Sequence, residues 1–431
     1  MKHTIQVVFW SFLFSAFFSE IYAAKESNNS STTTLPVSSN PYTPGTGALQ
    51  RYINKQLGIK NTHGFHFDGA WVGDTNDLMN GGIPNPKHLT SNSLFVMNLN
   101  VDTNRFVGWK NGLFGTQFLQ FNGQPTNYEA GSVQGYNSLP GPPPLNRSEL
   151  YQIWFRQTFF HDSLIVRIGK VVPIYDFNNV VAPIPLHRTN DIPTVTGLIY
   201  TPIYVNPSML GVIPGYYNSA YGVTVNFVPS QTWYLSAGRY DGQLAQGVQT
   251  GLTGPHFNGS YFNIAEIGVN WQITKNKLPG KLALGGWHQS GLITGFPDLS
   301  ENGASGFYVF GSQRVWYRNP DVDDSGISVF YQYGDNNSSA LPMTKYVGGG
   351  ITAFGLVPHR KNDSMGLGIA NAWLNQNSFI RKKELMYQAY YQANIVSSIF
   401  VEGALSYIPA PGALPTINAD WAGTLRAIIL F

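Results

Sequence analysis

The sequence predicts an all-β chain that forms a transmembrane antiparallel β-barrel of about 16 strands, with a short N-terminal helix before it. Three observations support this fold class. Segments of about ten residues repeatedly alternate apolar and polar side chains, as strands do when one face meets lipid and the other meets water. Only 11% of the 431 residues are charged, about half the usual share. The connections between the segments alternate between long and short, as they do in outer-membrane barrels.

The N-terminal stretch is predicted to be a signal peptide that covers residues 1–23. Lys2 and His3 form a short basic start, and an apolar run follows from 5 to 18. The small residue Ala23 then offers a cleavage site. The apolar run is shorter than the roughly 20 residues that a membrane-spanning helix needs, so we favour export over anchoring.

Two further segments precede the barrel. Residues 24–45 are rich in Ser, Thr, Asn and Pro, which predicts a disordered leader with little to bury. Residues 46–61 predict one short helix, because Leu49, Ile53 and Leu57 recur on one side at a spacing of four. We expect this helix to cap one end of the main body.

The barrel is predicted from residue 62 to residue 431, and its last strand shows the pattern. Every second residue from Phe431 back to Trp421 is nonpolar, whereas the opposite register carries Arg426. Alternate side chains of a strand point to opposite faces. We therefore expect the nonpolar register to contact lipid, with its terminal aromatics in the interfacial girdles, and Arg426 to face an aqueous lumen. Closure of the barrel also removes the free sheet edges that hydrocarbon does not tolerate.

The connections support the predicted number of strands. Residues 125–148 and 172–218 are long, whereas the links at 161–163, 229–231 and 274–280 are short. In outer-membrane barrels the long loops lie outside the cell and the short turns face the periplasm. The predicted strands begin near residues 62, 92, 113, 149, 163, 219, 231, 258, 279, 305, 325, 344, 363, 382, 398 and 420.

Composition and motifs argue against several other classes of protein. The chain has no Cys, which excludes disulfides, thiolate catalysis and zinc–thiolate sites. Its formal net charge of +3 is too small to indicate nucleic acid binding. No nucleophile elbow, His-Glu-x-x-His motif or phosphate loop occurs. The stretch DVDDSG at 321–326 is better explained as a turn than as a calcium loop, because Gln332 stands where a calcium loop has Glu. We therefore expect no enzyme activity, no cofactor and no metal.

Five segments occur in an order and at spacings that point to a known family. They are LYQIWFRQTFFHDSLIVRIGK (150–170), YGVTVNFVPSQTWYLSAGRYDG (221–242), NIAEIGVNW (263–271), LPGKLALGGWHQSG (278–291) and MGLGIANAW (365–373). Together they resemble the carbohydrate-selective porin family of Gram-negative outer membranes, the OprB type, over roughly residues 46–431. Arg239 departs from the family pattern, because it stands in the apolar register of its strand, and we expect it at a rim. The resemblance implies a barrel in the cell outer membrane through which small sugars diffuse passively into the periplasm.

In a channel of this kind, function resides in the lumen-facing side chains and in any loop that folds inward. Charged and amide groups can exchange hydrogen bonds with sugar hydroxyls, and a Trp face can stack on the sugar ring. Each such side chain could instead pair across strands and stabilise the wall. The predicted lumen-facing residues are Asp68, Gln152, Trp154, Arg156, Arg167, Glu266, Asn270, Lys281, Trp287, Glu384, Glu402 and Arg426. On the same strand parity, we expect Tyr151 to face lipid.

The stretch 172–218 is the predicted inward loop, since its Pro and apolar residues need a surface to pack against. The alternative is an ordinary loop that lies over the mouth. The expected partners are small sugars, outer-membrane lipid and the barrel insertion machinery, which would recognise Phe431. Neither the identity of the sugar nor the choice between a monomer and a homotrimer follows from the sequence. Two other functions stay open at this stage: a general small-solute diffusion porin and an exported soluble all-β sugar-binding protein.

Overall fold

A computed structural model describes most of the predicted barrel. The predicted signal peptide and leader lie outside the described residues, and so does the predicted helix at 46–61, apart from Gln56, which is helical and exposed. The described residues are Gln56 and 64–431, without 142–143, 182–194, 215–217, 231, 244–250, 274–277, 296–297, 321–322, 324 and 397.

Sixteen strands in the described part of the chain form one closed antiparallel barrel. Each strand pairs with its neighbours in sequence, and β16 pairs with β1 to close the sheet. Every predicted strand start lies within six residues of an observed one. The strands are β1 (Phe65–Asn80), β2 (Leu89–Asp102), β3 (Gly112–Asn122), β4 (Asn146–Phe159), β5 (Leu164–Val171), β6 (Ala220–Ser230), β7 (Trp233–Asp241), β8 (Tyr261–Ile273), β9 (Leu278–Gly295), β10 (Leu299–Tyr317), β11 (Gly326–Asn336), β12 (Met343–Phe354), β13 (Ser364–Leu374), β14 (Lys383–Val396), β15 (Ile399–Ile408) and β16 (Asp420–Leu430).

The two ends of the barrel differ in the length of their connections. At one end, the long-loop end, lie loops that we call L2 (123–145), L3 (172–219) and L4 (242–260). At the other end, the short-turn end, the link at 160–163 is tight, and β7 begins three positions after β6 ends. Helical turns occupy several connections, at Thr103–Val107, Thr126–Glu129, Pro173–Tyr175, Thr201–Ile203 and Pro207–Met209. Among the described residues, each helix is too short to cross a membrane.

The two registers of a strand meet different surroundings. On β16, Leu425 is 60% exposed on the outer surface, whereas its neighbour Arg426 is 3% exposed on the inside. Phe431 stacks on Phe95 with 5.7 Å between ring centroids. Arg239 lies exposed near the long-loop end of β7, with its guanidinium carbon 4.0 Å from the centroid of the Tyr261 ring. The outer face is thus apolar, and the inner face carries most of the charge.

Strand β4 departs from the predicted parity at Tyr151. Gln117 of β3 pairs with Gln152, but the next residue of β3, Phe118, pairs with Leu150, so Tyr151 is an extra residue in a β-bulge. The Tyr151 side chain is 2% exposed and belongs to an apolar cluster inside the barrel. The prediction that it faces lipid was wrong, because a bulge reverses the parity of the residues on one side of it.

Candidate functional site

The described parts of L3 lie inside the barrel. Tyr200, Ile203 and Met209 are fully buried, and they belong to one apolar cluster with inner-wall side chains such as Phe330 and Tyr346. A loop arched over the mouth would leave these side chains in water. L3 is therefore folded inward, as its apolar and Pro-rich sequence indicated.

Hydrogen bonds hold L3 against the wall. The Nδ2 of Asn336 on β11 donates to the backbone carbonyl of Ser208 at 2.7 Å. The backbone N–H of Ile199 donates to Oε1 of Gln388 on β14, also at 2.7 Å. Buried backbone groups need such partners because water does not reach them. These bonds fix two separate points of L3 on two different strands.

Glycines on the inner wall make room for L3. A Cβ atom at Gly368 of β13 would lie 2.6 Å from Leu198 and 2.7 Å from Tyr200. A Cβ atom at Gly334 of β11 would lie 2.2 Å from Ser208. Real side chains do not approach so closely, so a larger residue at either position would force side chains of L3 to shift away from the wall. These two strand glycines thus mark places where L3 approaches the wall closely.

L2 also folds inward, and Glu384 fastens it. The Oε1 of this carboxylate accepts from Ser132 Oγ at 2.9 Å and from Gln134 N at 3.0 Å. Its Oε2 accepts from Val133 N at 2.9 Å and from Gly412 N at 2.6 Å. Glu384 is fully buried, and its four bonds take up both oxygens. Its side chain therefore joins two loops to β14 instead of facing open water.

A second buried cluster ties L2 to the seam where the barrel closes. Arg426 donates from Nε and Nη2 to the two carboxylate oxygens of Asp74, each at 2.7 Å. The same Nη2 donates to Oδ1 of Asn137 in L2 at 3.1 Å. Glu402 lies opposite Arg426 in the β15–β16 register and accepts from Gln392 Nε2 at 2.8 Å. Arg426 thus pairs with one carboxylate and one loop amide, and a second carboxylate lies opposite it on the neighbouring strand.

On the facing wall, Glu266 of β8 holds L3 in a similar way. Tyr234 and Tyr308 each donate a hydroxyl hydrogen to this carboxylate at 2.7 Å. The backbone N–H of Asn178 in L3 donates to its Oε2, also at 2.7 Å. Glu266 is 2% exposed, so these donors replace its hydration.

Two predicted cations contact L3 as well. Arg167 of β5 forms a buried ion pair with Asp176. Lys281 of β9 lies 3.4 Å from the backbone carbonyl oxygen of Asn179. Both cations therefore interact with groups of L3, and this contact takes precedence over contact with a solute.

The other predicted residues differ in their access to the lumen. Trp287 is 4% exposed and stacks on Phe262 with 6.2 Å between centroids. Asn270 is half-buried near the short-turn end of β8. Gln152 is 4% exposed, and its Oε1 accepts from the backbone N–H of Val172 at 3.2 Å.

Trp154 and Arg156 keep part of their surface open to the interior of the barrel. Both are half-buried on β4, and the Nε of Arg156 has no hydrogen-bond partner among the described residues. Arg156 lies opposite Arg167 in the β4–β5 register. The guanidinium carbon of Arg167 is 5.6 Å from the centroid of a Trp154 ring. An aromatic face and a cation thus lie together beside the root of L3.

Sequence reasoning missed a charged cluster at the long-loop end of β4 and β5. Glu149 Oε1 lies 3.6 Å from Arg147 Nη1, and its Oε2 lies 3.9 Å from Lys170 Nζ. The same Oε2 accepts from the backbone N–H of Gly251 in L4 at 2.9 Å. The predicted start of β4 at 149 left Arg147 in a loop. The Arg-x-Gly-Lys stretch that ends at Lys170 was the one signal that pointed to this place.

A closed sixteen-stranded barrel with an apolar outer face, a charged inner wall and long loops folded in from one end has the architecture of an outer-membrane porin. The sequence model of the carbohydrate-selective porin, OprB family, matches residues 88–429. The chain belongs to this family, and it is a porin of the outer membrane.

Two proteins are similar to this chain over most of its length. Porin B of Pseudomonas aeruginosa is 23% identical over 409 residues, which cover 84% of this chain and 86% of that protein. A structure of Pseudomonas putida OprB at high pH superposes with a TM-score of 0.73 at 16% identity, over 91% of this chain and 99% of the other. A structure of the same protein at low pH gives a TM-score of 0.56 over the same shares. These two superpositions concern the fold.

Proposed function

We propose that this porin lets small sugars diffuse passively into the periplasm through the part of the lumen that L2 and L3 leave open. The observation that carries the proposal is the pair of inward loops, each fastened to the wall by a buried carboxylate, Glu384 for L2 and Glu266 for L3. Loops held in this way narrow the lumen to a fixed width. A fixed narrow path can discriminate between solutes by size and by hydrogen bonding.

We propose that Trp154 and Arg156 contact the passing sugar. The Trp154 ring offers a flat face for the C–H side of a sugar, and Arg156 offers donors for its hydroxyl groups. Both side chains remain partly exposed, whereas Glu384 and Glu402 are almost completely buried. The buried members of the predicted set hold the loops in place and thereby set the width of the path. Weak contacts of this kind allow a solute both to enter and to leave.

A liposome-swelling series across sugars of increasing size tests the proposal. We expect rapid swelling with monosaccharides and progressively slower swelling with disaccharides and trisaccharides. Current through single channels should fall when glucose is added, because a bound sugar obstructs ions. A general small-solute porin, the alternative function, would show single-channel current that does not respond to any sugar.

The remaining parts of the proposal concern partners and processing. We infer that no reaction is catalysed, that residues 1–23 are removed on export, and that the assembly machinery recognises Phe431. Phe431 exchanges backbone hydrogen bonds with Gly69 at 2.9 and 3.0 Å. Deletion of Phe431 should therefore lower the yield of assembled barrel in the outer membrane, measured on heat-modifiable gels.

A further inference from the structure

Four polar side chains form a continuous relay across four neighbouring strands. Asn98 Nδ2 donates to Asp68 Oδ1 at 2.5 Å, and Gln117 Nε2 donates to Asn98 Oδ1 at 2.7 Å. Gln152 Nε2 donates to Gln117 Oε1 at 2.8 Å, and the backbone N–H of Val172 donates to Gln152 Oε1 at 3.2 Å. We call this chain of bonds the amide relay. It begins on β1 near the short-turn end and finishes on the first residue of L3.

The register of the sheet brings these side chains together. Asp68 lies opposite Asn98, Asn98 lies opposite Gln117, and Gln117 lies opposite Gln152. The three amides are each at most 5% exposed, so water does not offer them alternative partners. Asp68 is half-buried and forms the β1 end of the relay, which is the end away from L3.

The two ends of the relay fix the direction of every bond between them. A backbone N–H can only donate, so Gln152 must turn its oxygen towards Val172. An ionised carboxylate can only accept, so Asn98 must turn its nitrogen towards Asp68. Each amide between these ends has one accepting side and one donating side. A donor in place of Asp68 would therefore leave one contact of the relay without an acceptor, and if every amide turns over, that contact is the one at Val172.

We propose that Asp68 and Gln152 are positioning residues for the root of L3, and that the carboxylate of Asp68 orients the relay that holds the N–H of Val172. The inference rests on the proposed function, in which L3 sets the width of the sugar path. In this role Asp68 affects L3 through hydrogen bonds along the inner wall, and it does not need to contact the solute. It also explains why three amides lie in line on the inner wall where L3 begins.

The test reverses the relay from its far end. In Asp68→Lys the new side chain donates, so each amide turns over and Gln152 presents its nitrogen to the N–H of Val172. Hydrogen exchange at Val172 should then be about tenfold faster, because one hydrogen bond is lost. Adding Gln152→Glu should restore slow exchange, because a carboxylate accepts from both Gln117 and Val172.

Asn100→Lys is the matched control. Asn100 lies on the same face of β2, two residues beyond Asn98 and outside the relay, and the change introduces the same lysine ammonium group there, although it raises the net charge by one unit where Asp68→Lys raises it by two. Exchange at Val172 should stay at the wild-type rate in this control.

Wild-type exchange in Asp68→Lys, or no recovery in the double variant, would overturn the inference. If Asp68→Lys does not assemble, Gln152→Leu removes the acceptor directly, and unchanged exchange at Val172 would refute the role of Gln152. Exchange is measured without sugar, so failure of the relay and failure of sugar transport are separate results.

Discussion

Removal of the Glu384 carboxylate should release L2 from the wall while the barrel stays closed. In Glu384→Ala, three backbone N–H groups and one serine hydroxyl lose their acceptor. A buried donor without a partner costs about 1–3 kcal/mol, so the three donors that belong to L2, namely the Ser132 hydroxyl and the N–H groups of Val133 and Gln134, give roughly 3–9 kcal/mol. Water in the lumen can hydrate the freed loop, which favours the lower end of this range. About 3 kcal/mol raises the population of detached L2 roughly 100-fold.

Glu384→Gln should also disrupt the site, although it keeps the shape of the side chain. Each carboxylate oxygen accepts two hydrogen bonds. An amide replaces one oxygen with an NH₂ group, which then faces two donors. We expect this variant to lie between wild type and Glu384→Ala.

Detachment of L2 in the Glu384 variants is measured by backbone amide hydrogen exchange at residues 132–137 and by single-channel conductance. Exchange should accelerate and conductance should rise, because a detached L2 widens the path. Glu301→Gln is a matched control: Glu301 also accepts hydrogen bonds from a loop, at Ser339 N and Oγ, but it is only half-buried. Its effect should be confined to 337–342. If Glu384→Ala left both the exchange and the conductance at wild-type values, the carboxylate would not be what holds L2.

Three further predictions follow from the same geometry. Trp154→Ala and Arg156→Ala should each weaken the block of single-channel current by sugar without preventing assembly; unchanged block and conductance in both would remove them from the path. Gly368→Val should lower the free energy of unfolding by about 1–3 kcal/mol through overpacking, and it should raise conductance because L3 is displaced. Gly403→Ala should change neither quantity, because an added Cβ there meets nothing within 4 Å. Arg426→Met leaves two facing carboxylates without their cation, which costs about 3–5 kcal/mol; heat-modifiable gels should show a lower transition temperature, and an unchanged one would contradict the pairing.

The sequence was sufficient for the faces of the strands, because a period of two is local. Alternation alone indicated that Arg426 points inward and Leu425 outward, and the structure has both orientations. It gave no information on partners. Asp74 stands 352 positions from Arg426, and Ser132 stands 252 positions from Glu384. Such contacts depend on the register of the closed sheet and on the course of the loops.

Local irregularities set a second limit on what the sequence reveals. The bulge at Tyr151 places two successive residues, Tyr151 and Gln152, on the buried side. No alternation pattern announces such an extra residue, because it is defined by pairing with the neighbouring strand. The amide relay was hidden for the same reason. Its members are ordinary polar residues of separate strands until the register aligns them.

Closure of the barrel and narrowing of its lumen depend on one set of side chains. Asp74 lies on β1 and Arg426 on β16, so they meet only when the first and last strands pair. Asn137 of L2 donates to Asp74 Oδ2 at 2.8 Å and accepts from Arg426. L2 therefore gains this pair of partners only in a closed barrel. An open sheet would present the loop with a lone carboxylate, so the closed seam and the position of L2 depend on the same residues.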